Sequence, residues 1–149
     1  MICTTSRKRL FSAVVAVAAA LAPSNTGLAG DDSGEDGNAA PFLRVWQVQV
    51  TPDQPTAQAG KFAFNDLMVF EEDGFFTAEA FGPMGYGRSE YTLTPLSATA
   101  TGFTTTLANG ESVVVWNGVL QNSRIVGTLV WSRADGSVGT YDFSAAPAE

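Results

Sequence analysis

The chain has 149 residues, with eight basic and fifteen acidic side chains, one cysteine and no histidine. Ser-His-Asp and Cys-His catalysis, zinc sites of imidazole or thiolate, and an internal disulfide are thereby excluded. The formal charge of −7 repels phosphate backbones, so nucleic acid is not an expected partner.

Residues 1–29 carry the three parts of a secretory signal peptide: "SRKR" at 6–9, an apolar run from Leu10 to Leu21, and small residues up to "GLAG". The run is shorter than the ~20 residues a bilayer span needs. Cleavage is expected near Ala29 or Gly30, leaving no membrane span in the mature chain and placing the protein in the periplasm or outside the cell. Cys3 precedes the apolar run and so is not placed to carry a lipoprotein anchor. Loss of Arg7, Lys8 and Arg9 leaves five basic and fifteen acidic residues, a net charge of −10.

"GDDSGEDGNAA" (Gly30–Ala40) is acidic, glycine-rich and without large apolar groups, which reads as a flexible linker over 30–41. Calcium binding by an EF-hand loop fails on spacing: a loop begun at Asp32 puts Gly34 third and Leu43 where a bidentate acid belongs. No metal or cofactor is expected.

From Phe42 on, eight segments of strand character are separated by turn residues, over 42–50, 62–70, 75–81, 88–94, 100–107, 112–120, 125–132 and 137–144. No stretch carries a helical period. The fold class is all-β: a small eight-stranded antiparallel up-and-down β-barrel over 42–144, closed so that no edge is exposed, with a flexible tail at 145–149.

Turns set the registers. A Glu72-Asp73-Gly74 loop puts Phe70 opposite Phe76 and Met68 opposite Ala78. An Asn109-Gly110 turn puts Phe103 opposite Trp116 and Thr105 opposite Val114. Asn122-Ser123 pairs Leu120 with Ile125, Gly118 with Gly127 and Trp116 with Leu129. For the last hairpin, a three-residue Ala134-Asp135-Gly136 loop keeps Asp142 off the tryptophan face and pairs Leu129 with Tyr141. Gly118 and Gly127 then lie side by side, where the sheet can bend and rings can cover bare backbone. "GPMGYG" (82–87) lacks the strand-to-helix context of a phosphate loop and reads as a flexible connection over one mouth.

Alternation puts Phe62, Phe64, Met68, Phe70, Phe76, Ala78 and Ala80 on one face together with Asp66, and sets Arg44 beside Phe42, Trp46, Val48 and Val50. Buried charge is costly unless paired, so Arg44 and Asp66 are expected to meet near one end of the barrel or to escape to its rim. As a ligand-orienting pair they would join Trp46, Phe64, Met68, Trp116 and Trp131 around a cavity for a small apolar ligand. In the competing reading the same side chains fill the interior, and the protein is a non-catalytic module working through its surface on a protein partner. A carboxylate hydrolase would need a pair from Asp66, Glu79, Glu90 and Asp142, whose separation the sequence does not fix. No catalytic residue is assigned.

The pieces "FNDLMVF" (64–70), "DGFFTAEA" (73–80), "WNG" (116–118), "IVGTLVW" (125–131) and "DGSVGTYDF" (135–143) resemble a family of small exported bacterial proteins with lipocalin-like or avidin-like barrels. The resemblance implies the barrel and no activity. True lipocalins have a Gly-x-Trp first strand where this chain has Arg44-Val45-Trp46, a departure that argues against lipid transport.

Overall fold

A computed structural model describes residues 39–149. The expected signal peptide and all but the last residues of the acidic linker lie outside the described residues. Eight strands, β1 (Val45–Pro52), β2 (Phe64–Phe70), β3 (Phe75–Ala78), β4 (Ser89–Pro95), β5 (Ala100–Asn109), β6 (Ser112–Gln121), β7 (Arg124–Ser132) and β8 (Val138–Pro147), pair in sequence order, and β8 returns to β1 to close an antiparallel barrel. No helix among the described residues is long and apolar enough to cross a membrane.

Three of the expected turns form as read. The 72–74 and 134–136 loops each end on a left-handed glycine, Gly74 at φ +86° and Gly136 at φ +85°, giving Phe70↔Phe76 and Leu129↔Tyr141. Asn122 and Ser123 both take positive φ, 52° and 58°, as the two central residues of a type I′ turn require. The fourth turn is displaced. Gly110 and Glu111 form its tip and Asn109 pairs with Ser112, so Phe103 faces Gly118 and Thr105 faces Trp116. Asn109 is drawn into the strand because its Nδ2 donates to Met84 O at 2.5 Å. Gly110, at φ +59°, takes the first turn position, which in a type II′ turn wants glycine. The pairing slips by an even number of residues, so the apolar face is kept.

That slip fixes what the glycines do. Gly118 stands opposite Gly127, and a Cβ on Gly118 would lie 2.5 Å from Phe103 Cε1 and 3.0 Å from Phe143 Cζ. The two rings rest directly on the bare backbone.

Alternation fails at the start of each of the expected first two strands. Arg44 N donates to Phe42 O at 2.7 Å, a tight turn ahead of β1 that turns Arg44 out to solvent. Phe62 precedes β2 and is 83% exposed, so it does not join the apolar face. The expected flexible tail is paired in part: β8 continues through Ala145, Ala146 and Pro147 against Val48, Gln47 and Trp46.

Two short helices went unpredicted. Helix α1 (Gln54–Gln58) is capped by Asp53, whose Oδ1 accepts Thr56 N at 2.9 Å, and has a proline in its first turn. Thr56 Oγ1 in turn accepts Thr140 N at 2.9 Å, tying the helix to β8. A 3-10 helix over Glu79–Met84 occupies the first half of "GPMGYG" and the end of the expected third strand. It is anchored and not a loose connection: Phe81 is wholly enclosed and Tyr86, just past the helix, nearly so, while Gly82, Pro83 and Met84 stay exposed.

These additions decide how the barrel ends. Phe42, from the turn before β1, sits 5.1 Å from the Phe70 ring and 6.0 Å from Phe103, closing the mouth where β1 begins. Phe81 lies 4.9 Å from Trp131 and 6.0 Å from Trp116 and closes the other mouth. Between the plugs, Trp46, Val50, Met68, Phe76, Leu107, Val114, Trp116, Ile125, Leu129 and Tyr141 are essentially inaccessible to solvent. Each large side chain so enclosed contributes ~1.5–3 kcal/mol.

β3 pairs with β4 through Phe75↔Glu90 and Phe76↔Ser89, a narrow seam. Side chains reinforce it: Arg88 bridges Glu71 at 2.8 Å and Asp73 at 3.0 Å, and its guanidinium lies 4.2 Å over the Phe75 ring. Tyr91 adds a backbone bond to Gly74 O and a hydroxyl bond to Glu71 O.

Candidate functional site

Residues expected to line an interior site are spread along the barrel, with Trp46 and Met68 paired directly across β1 and β2. Trp46 is buried near the β1 mouth with its indole N–H donating to Phe42 O at 3.0 Å. Met68 and Trp116 lie in the middle of the interior, and Trp116 Nε1 is buried without a partner. Phe64 and Trp131 are half-buried at the far mouth, each against Phe81. Phe81 therefore joins Phe64, Trp116 and Trp131, a gathering the strand pattern did not reveal. Trp131 Nε1 donates to Tyr86 Oη at 2.9 Å, and the Arg133 guanidinium covers its ring at 4.1 Å.

Arg44 and Asp66 do not meet. Arg44 is exposed, 5.7 Å from the Trp46 ring centre, while Asp66 is 7% exposed and sits in the barrel wall. The cause is local: β3 reaches only Ala78, so the first residues of β2 lack a strand partner on that side. Asp66 Oδ1 fills the gap, accepting Leu67 N and Ala80 N, each at 2.7 Å. Its Oδ2 is buried without a partner. Burial pushes the Asp66 carboxyl above its ordinary value and the nearby Glu79 charge adds to this, against the backbone N–H groups of Ala80, Leu67 and, least, Glu79, which favour the ionised form.

Outside Asp66 runs a groove of about 610 Å³. Its course follows from strand tilt, since cross-strand neighbours trace one row from Ile125 to Ala145, Val48 and Asp66, ending where Ala80 meets Asp66. Val48, Asp66 and Ala145 of that row line its floor, and the outward residues on either side line its walls: Gln47 and Gln49 from β1, Asn65 and Leu67 from β2, Ser144 and Ala146 from β8. Arg124 stands at the β7 end and Glu79 at the 3-10 helix end. Of the four acids considered for hydrolysis, Asp66 and Glu79 border this groove, whereas Glu90 and Asp142 are exposed elsewhere.

Two further depressions flank the β1 mouth. One of about 530 Å³ lies between Arg44 and the 71–73 loop; one of about 340 Å³ lies between Arg44, Thr99 and Asn122. None of the three is lined by Trp46, Met68, Trp116 or Trp131. Among the described residues no group of three or more Asp, Glu, His or Cys side chains is placed to hold a metal ion.

No family model, no curated protein and no solved structure matches the chain.

Proposed function

We propose that this is an exported, non-catalytic binding module that acts through the outer wall of its barrel. The observation carrying the reading is the double closure: Phe42 and Phe81 plug the two mouths, and the aromatic residues between them pack ring on ring with centroids mostly 5–6 Å apart. Side chains in that arrangement spend their surface on one another, and the polar groove faces outward. The signal-peptide pattern at 1–29 and the resemblance to exported barrels support the compartment. Against a carboxylate hydrolase stands the position of Asp66, whose unpartnered oxygen is sealed from solvent and so from a substrate.

The experiment is a titration of the purified protein with palmitate, haem and an aromatic naphthalene-sulfonate dye while intrinsic tryptophan fluorescence is followed. Unchanged emission is expected for all three. A saturable change that Met68→Ala or Phe81→Ala alters in affinity would place the ligand inside and overturn the reading.

A further inference from the structure

The outer groove has a chemistry that selects its ligand. Gln47, Gln49 and Asn65 present planar amides, each both donor and acceptor, and they stand exposed on adjacent strands at facing positions, Gln47↔Leu67 and Gln49↔Asn65. Arg124 and Glu79 carry opposite charges at the two ends. Asp66, the third charged residue of the lining, has Oδ1 taken by backbone N–H groups and Oδ2 buried, so the exposed lining favours neither a cation nor an anion. Between them Leu67, Ala80 and Ala146 supply small aliphatic patches.

A peptide strand is a poor fit. Strand addition needs a free sheet edge, and the floor here is built from β7, β8, β1 and β2, already paired with one another throughout the groove. At the one place where β2 lacks a neighbour, Asp66 Oδ1 already takes Leu67 N. Recognition must therefore pass through side chains, and it must suit an uncharged molecule rich in donors and acceptors with small apolar C–H faces.

We propose that the groove binds a short neutral saccharide, a proposal that rests on the outer-wall reading and names its ligand class. Ring hydroxyls pair with the amides of Gln47, Gln49 and Asn65, Arg124 donates at one end and Glu79 accepts at the other. Asp66 acts as a positioning residue: by holding Ala80 N it fixes Glu79 against β2 without touching the sugar.

The test is an NMR titration of the full chain with cellotriose, maltotriose and tri-N-acetylchitotriose, with trigalacturonate as the charged control. At least one neutral trisaccharide is expected to shift the side-chain amide signals of Gln47, Gln49 and Asn65 saturably, with trigalacturonate at least tenfold weaker. Gln49→Ala and Asn65→Ala, both on the solvent face, each weaken that binding by about tenfold, or ~1.4 kcal/mol, while the indole signals of Trp46 and Trp116 stay in place. If none of the three neutral sugars moves the amides, or if trigalacturonate binds as tightly, the saccharide proposal falls and the outer-wall reading stands. Shifts at the Trp46 and Trp116 indoles would sink the outer-wall reading itself.

Discussion

Asp66 occupies a position that alternation assigns to the barrel interior and that chemistry would keep in water. It is tolerated because β3 ends early and leaves two backbone N–H groups, of Leu67 and Ala80, in want of an acceptor. A carboxylate turned across an unpaired stretch also blunts it against strand addition. The balance is testable through pH. A carboxyl whose folded-state pKa is raised above its unfolded value contributes stability that is complete below the unfolded pKa and is lost as pH rises through the folded one. Asp66→Asn removes that loss. Urea unfolding of both proteins at pH 3 and pH 7 should show the variant gaining on the parent as pH rises. A variant that falls further behind at pH 7 would mean that the two N–H donors outweigh burial. Sequence alone exposed Asp66 as an anomaly, since an acid at every second place among phenylalanines is visible. Its partner was misread because Arg44 lies one residue ahead of β1, where the turn onto Phe42 O ends the alternation.

Strands were legible and the pieces that close the barrel were not. A strand declares itself through period-two alternation and bounding turns over seven to ten residues, as in β5 to β8. Helix α1 has five residues, too few to show any period. Its signals lay in Asp53, Pro55 and Gly60, the cap, first-turn proline and left-handed terminus of a short helix. The 3-10 helix hid inside a glycine-rich run, and Phe81 is one residue out of step with the Phe76, Ala78, Ala80 face, so period-two alternation sends it outward. Displacement of the 110–111 turn was equally invisible, because it depends on Asn109 meeting Met84, 25 residues away in the chain. Phe81 carries a consequence of its own. It touches Phe64, Tyr86, Trp116 and Trp131, so Phe81→Ala should cost ~3–5 kcal/mol, read as a fall in the urea midpoint with the denaturant slope unchanged. A loss under ~1 kcal/mol would show that the mouth is not held by this ring.

Apart from Phe62, the described residues turn most of their aromatic rings inward and the amides of Gln47, Gln49 and Asn65 outward, and the proposed use follows from that division. The groove could not be found in the sequence because no segment contains it: Gln47, Asn65, Glu79, Arg124 and Ser144 come together only through the register of four tilted strands and the start of the 3-10 helix. The composition excludes histidine chemistry and zinc sites built from imidazole or paired thiolates. Everything rests on an interior occupied by the protein's own side chains. The most direct measurement is a ¹H–¹⁵N spectrum of the full chain recorded under rising xenon pressure, with the indole N–H signals of Trp46 and Trp116 followed. Xenon enters dry apolar voids. The account predicts that neither indole signal moves beyond the linear effect of pressure, whereas a shift that saturates with xenon would reveal an open cavity and contradict it.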